Sequence, residues 1–155
     1  MACSGRMLVH VRCEALVAIV FAAMTLENFI YRYAIVGVTH EYYIKHIDKL
    51  SVPSKWVVVT RIMNGKELNE DDPRFVRMRK LIKTRNEVVH VKGSALNNPT
   101  PERLEKWFYS DMKQENDLRE LSIKAPEIVR DAVSMIEELD TTEGCKGVID
   151  SVLNQ

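Results

Sequence analysis

The sequence predicts an all-α protein, an up-and-down bundle of four or five main helices, and three observations predict it. Apolar residues from Val9 to Tyr33 recur at threes and fours. Asp72-Pro73 and Thr100-Pro101 each place a capping side chain before a proline, the pattern of a helix start. No internal repeat, low-complexity tract or linker interrupts the chain, so residues 1–155 are expected to form one helical domain, with 140–155 a weakly specified tail.

The first helix is expected from Val9 to about Gly37, on a stripe that includes Cys13, Leu16, Ile19, Ala23, Leu26 and Ile30. Val17, Val20 and Phe21 widen that stripe, so the middle of the helix should touch neighbours on more than one side. Gly37 suits a helix stop. A second helix is expected from about His40 to Leu50, ended by Ser51-Val52-Pro53 because proline disfavours helix in the residue before it. A third, from about Ser54 to Met63, buries Trp56; Trp56-Val57-Val58-Val59 taken alone also suits a strand. A polar loop from Asn64 to Asp72 leads into a helix from Pro73 to about Val91. Gly93 to Asn98 is a break, and a helix carrying Leu104, Trp107 and Phe108 starts at Pro101. The last helix carries Ile128, Ala132, Val133, Ile136 and Leu139, with Pro126 marking its start or a kink, and ends at Glu143-Gly144.

The chain has 155 residues, 46% of them hydrophobic, enough to bury a core without disulfides or a structural metal. Lysine and arginine number 22 and so do aspartate and glutamate, so any anion binding must be local. Cys3, Cys13 and Cys145 are scattered and odd in number, which argues against a disulfide framework and a zinc knuckle and fits a reducing cytoplasm. The apolar run from Ala15 to Met24 resembles a signal peptide core, but Glu14 borders it, no small-x-small site follows, and it is short for a membrane span, so no membrane is expected. His40 and His46 are out of phase for a helical metal pair, and no carboxylate cluster completes a site. No phosphate loop, nucleophile elbow or dinucleotide fingerprint is present, so neither metal nor cofactor is expected. Trp107-Phe108-Tyr109 suits core or interface better than base stacking.

The helix from Pro73 to Val91 breaks its own pattern. At about 100° per residue, Phe75, Met78, Leu81, Ile82, Val88 and Val89 share one apolar arc, and Arg85 falls in its middle. A charge where the period demands leucine marks a function or a paired interface. Asn86 and His90, four apart, share one edge, so the Asn86 amide is placed to orient the imidazole. Arg85 and His90 stand roughly 140° apart and converge only if the guanidinium bends round or the helix end distorts. Arg77, Arg79, Lys80, Lys83, Arg85 and Lys92 surround one acid, Glu87, a local positive stretch suited to phosphate. A guanidinium stabilises phosphorane-like charge and a histidine exchanges protons near neutrality. The alternative is structural, with Arg85 paired to a core acid such as Glu27 in an unrelated helical interaction protein.

The string from Leu81 to His90, downstream of a long apolar helix containing Leu26-Glu27-Asn28, resembles the HEPN superfamily. That family's motif is Arg, four to six residues of which the first is polar, then His, and Arg85, Asn86 and His90 match it in order and spacing. The resemblance covers Val9 to Lys92, with Gly93 to Asn116 a variable excursion. It implies a HEPN-like bundle that dimerises with two motifs facing each other across a cleft, and a metal-independent endoribonuclease of a toxin–antitoxin or antiviral-defence type. Arg85 would hold the scissile phosphate of an RNA, His90 would act in acid–base chemistry and Asn86 would orient His90, with Glu27, Lys83 and Lys92 as supporting or phosphate-binding residues. An antitoxin is the partner implied for a toxin. The same resemblance admits a non-catalytic adaptor or a partner of a nucleotidyltransferase.

Overall fold

The structure, a computed structural model, describes residues 4–89, 101–140, 144 and 146–148, with side chains described over 14–87, 116–140, 144 and 146–148. The sequence expectations for His90, Lys92, the break from Gly93 to Asn98 and the Trp107-Phe108-Tyr109 cluster lie outside the described residues or side chains. Five helices follow one another: α1 (Ser4–Gly37), α2 (His40–His46), α3 (Val52–Asn64), α4 (Pro73–Val89) and α5 (Pro101–Leu139). No strand occurs among the described residues, and the chain is all-α.

α1 is the axis of the bundle, packing against α5, α3 and α4 and, near its end, α2. Its buried residues Ile19, Ala23, Leu26, Ile30 and Tyr33 follow the helical period and are all fully buried. α1 stops where Gly37 passes Met63 so closely that a Cβ on Gly37 would collide with the Met63 sulfur. Gly37 is therefore a close approach of α1 to α3 as well as a helix stop. Glu14–Gly37 is also long and apolar enough to cross a membrane by length and composition, and 39% of that window is buried against the other helices.

α2 is shorter than its sequence suggests, ending at His46 with Ile47 as its C-cap. α3 then begins earlier than expected: Ser51 caps it by accepting from the Ser54 amide at 3.3 Å, and Pro53 sits in the first turn, where a missing N–H costs nothing. Trp56, Val59 and Thr60 are buried at helical spacing, and the Thr60 hydroxyl donates to the Trp56 carbonyl at 2.7 Å, so the β-branched run is helical. Gly65, at φ 65°, closes α3 in the left-handed conformation, its N–H bonded to the Arg61 carbonyl at 3.0 Å.

The two helices expected after Pro101 are one, with Pro126 inside it. Proline removes its own donor and crowds the carbonyl four residues back, and the buried Leu121, Ala125, Ile128, Ala132 and Ile136 hold α5 to the core on both sides of it. At the other end, Arg74 ties the start of α4 to α5. Its guanidinium meets Asp72 at 2.8 Å, Glu138 at 2.6 and 2.9 Å and the Ser134 hydroxyl at 3.2 Å.

Candidate functional site

Phe75, Met78, Leu81 and Ile82 of α4 are buried, and Arg85 occupies the next position on the same face. Burial of that face carries the guanidinium toward α1, where Arg85 Nη2 lies 3.3 Å from Glu27 Oε2. The Arg85 side chain stays 25% exposed, and its Nε is buried with no hydrogen-bond partner. Glu27 is shared. Its other oxygen, Oε1, lies 3.3 Å from the ammonium of Lys55 on α3, which also reaches Asp48 Oδ1 at 3.5 Å. The chain Asp48–Lys55–Glu27–Arg85 thus alternates in sign and links α1, α3, α4 and the turn after α2.

Lys55 is 4% exposed. Burial alone would push its ammonium below the ordinary lysine range; Tyr43, Glu27 and Asp48 outweigh that and hold it above. The same burial raises the Tyr43 phenol, only partly offset by Lys55, whose ammonium stands 5.9 Å from the Tyr43 ring centre. Lys55 is thus a charged buried lysine, kept so by its partners.

The other sequence-predicted residues sit elsewhere on α4. Asn86 is exposed. Lys83 is exposed and, among the described residues, pairs with Glu87 alone, at 3.7 Å, one turn on. The structure therefore brings Arg85 and Glu27 together and leaves Lys83 and Asn86 on the outer surface. The positive stretch is also less positive than the linear sequence suggests, because other helices supply acids. Asp131 of α5 takes Arg77 at 2.6 Å and Glu27 of α1 takes Arg85. Arg79 and Lys80 are exposed without an ion pair among the described residues.

An open groove of about 380 Å³ lies against this charge chain, between α1 and α2. Lys55, Glu27 and Asp48 line it together with Met24, Asn28 and Tyr31. Tyr31 packs edge-on against Tyr43, ring centres 4.9 Å apart, and its hydroxyl lies 3.1 Å from His40 Nδ1. Beyond Met24, Phe21 and Val17 continue along α1 as an apolar stripe, each more than half exposed. No group of three His, Cys, Asp or Glu side chains able to hold a metal occurs among the described residues.

Lys55, Asp48 and Tyr43 escaped the sequence reading. The missed signal was in α3, where Val52, Lys55, Trp56 and Val59 are spaced as one buried face with a lysine in it, the irregularity that picked out Arg85. No family model, curated protein or solved structure matches the chain.

Proposed function

We propose that this chain is a metal-independent endoribonuclease of the HEPN type, acting in the cytoplasm as a homodimer with its Arg85–His90 motifs at a shared cleft. One observation carries the proposal: Arg85 projects from the core face of α4, anchored through one nitrogen while the rest of its guanidinium makes no hydrogen bond among the described residues. A planar cation held at one corner keeps donors for a phosphate. The exposed Val17 and Phe21, on the same helix as Glu27, support a second copy docking beside the site.

In the proposed reaction the 2′-hydroxyl of the substrate ribose attacks the adjacent phosphorus and gives up its proton. The bond to the 5′-oxygen breaks, that oxygen gains a proton, and a 2′,3′-cyclic phosphate remains. Arg85 stabilises the charge gathering on the phosphoryl oxygens, and His90 handles the protons, oriented by Asn86.

The test is cleavage of structured and single-stranded RNAs in the presence of a metal chelator, with wild type, Arg85→Ala and His90→Ala. Both substitutions are expected to lower cleavage by on the order of 10²–10³ or more. Activity that survives both overturns the mechanism. A second reading has its own support, since Glu27 already neutralises Arg85 within one chain. A non-catalytic HEPN adaptor or nucleotidyltransferase partner uses Arg85 that way, and predicts no cleavage by wild type under any condition.

A further inference from the structure

We infer that the groove between α1 and α2 is a pocket for a single unpaired guanine base, placed beside Arg85. The inference rests on the ribonuclease reading for its RNA context but not for the binding itself. The groove's volume, about 380 Å³, accommodates a nucleoside. Its walls suit a flat ring: Met24 of α1 and Ile44 of α2 are 55% and 46% exposed, and Tyr31 adds a partly exposed aromatic surface. Unstacked RNA bases are recognised by packing on such side chains and by hydrogen bonds to their edges.

The electrostatics select the base. Among the described residues Lys55 is the one lysine or arginine lining the groove, and it is buried and already faces Glu27 and Asp48; His40 also lines it, its Nδ1 3.1 Å from the Tyr31 hydroxyl. A phosphate therefore finds no unpaired lysine or arginine inside the groove among the described residues. What the rim offers is acceptors: the Asp48 carboxylate is 51% exposed and only its Oδ1 is engaged, and the Glu27 carboxylate is 41% exposed. A carboxylate favours an edge with adjacent N–H donors and repels one with acceptors. Guanine, with N1–H beside its N2 amino group, presents two adjacent donors. Adenine and cytosine place a ring acceptor beside their amino group, and uracil has one N–H between two carbonyls. Asn28, exposed in the groove, adds an amide for the guanine O6. Because Glu27 both lines the groove and holds Arg85, the base site adjoins the guanidinium.

The experiment titrates the full chain with guanosine, adenosine, cytidine and uridine, and then with guanosine 3′-monophosphate, reading calorimetry and chemical shifts at Tyr31 and His40. Guanosine is expected to bind at least about tenfold tighter than the other nucleosides, the size of one bidentate base contact. Ile44→Arg, which fills the groove from an exposed position and offers its own guanidinium to the carboxylates, is expected to abolish guanosine binding while leaving thermal unfolding unchanged. Asp48→Asn is expected to remove the preference for guanosine. Arg85→Ala is expected to keep guanosine binding and lose only the added affinity of the monophosphate. Equal binding of all four nucleosides, no binding, or tighter binding of an arginine-containing peptide than of guanosine overturns the pocket. Cleavage without guanosine binding sinks the pocket and spares the ribonuclease; guanosine binding without cleavage does the reverse.

Discussion

Two arginines of α4, three turns apart, meet their surroundings in opposite ways. Arg74 spends all three guanidinium nitrogens, on Asp72, Glu138 and Ser134, at 2.6 to 3.3 Å. Among the described residues Arg85 has one hydrogen bond, 3.3 Å long, and a buried Nε with none. The two side chains are almost equally exposed, 26% and 25%, so burial does not explain the difference. A saturated guanidinium is a clamp between helices; one held at a single corner has capacity left for something else. The same residue type on the same helix is thus assigned two jobs by counting its donors.

The comparison is broken most directly by exchanging the outcomes. Arg85→Ala is expected to lower RNA cleavage by on the order of 10²–10³ with little loss of stability. Arg74→Ala is expected to leave cleavage within a few-fold and to lower the unfolding midpoint, because the start of α4 loses its tie to α5 through Glu138 and Ser134. Thermal unfolding and cleavage measured side by side decide it, and an Arg74 variant that is stable but inactive sinks the assignment.

Next in size is the charge chain. Glu27→Gln keeps the shape of the side chain and an acceptor oxygen but leaves Asp48 as the one carboxylate paired with Lys55 among the described residues. The expected cost is about 1–3 kcal/mol, less than the roughly 3–5 kcal/mol of a fully buried broken pair, because Glu27 is substantially exposed. Chemical denaturation measures it. Lys55→Met, which removes the buried charge itself, is expected to cost less than Glu27→Gln, and the opposite order refutes Lys55 as the member that needs compensation.

The residues that carry these networks differ in how well the sequence exposed them. The long period of α1 and the cap at Asp72-Pro73 are local, so those elements were legible. Arg85 was legible because it interrupts an apolar arc, and Glu27 was available as its candidate acid. Lys55 obeyed the same rule on a shorter helix, but the run Val57-Val58-Val59 blurred the period there between helix and strand. The fusion of the last two helices into α5 was hidden because Pro126 weakens a helix locally, while the α1 and α4 residues that bury the face of α5 are distant in sequence. The neutralised basic stretch was hidden for the same reason, since Asp131 meets Arg77 only once the chain is folded.

The two regions should also separate on the pH scale. Hydrogen bonds from Arg74 hold the Asp72 and Glu138 carboxyls below their ordinary values. Their contribution is therefore complete above the unfolded carboxylate range and is lost as pH falls through the lowered folded values. Lys55 is held above the ordinary lysine value, so its contribution is complete below that value and is lost as pH rises through the folded one. Hydrogen exchange is expected to show the start of α4 opening first in acid and the Glu27–Lys55 contact opening first in alkali. Simultaneous opening at both ends of the scale argues that the networks are one unit.

The smallest effect belongs to Lys83. It is 75% exposed and, among the described residues, its one ion pair is with Glu87 at 3.7 Å, worth about 0.3–0.5 kcal/mol at most. Lys83→Ala is therefore expected to leave the unfolding midpoint almost unmoved, which makes it a clean reporter of binding. If Lys83 meets an RNA phosphate beside Arg85, the substitution weakens RNA uniformly across sequences and lowers the salt dependence of binding by about one unit of slope. The guanosine preference stays, because Lys83 does not line the groove. An unchanged salt slope removes Lys83 from the phosphate-binding set and leaves Arg79 and Lys80, the exposed cations on the same helix without an ion pair among the described residues, as the next places to look.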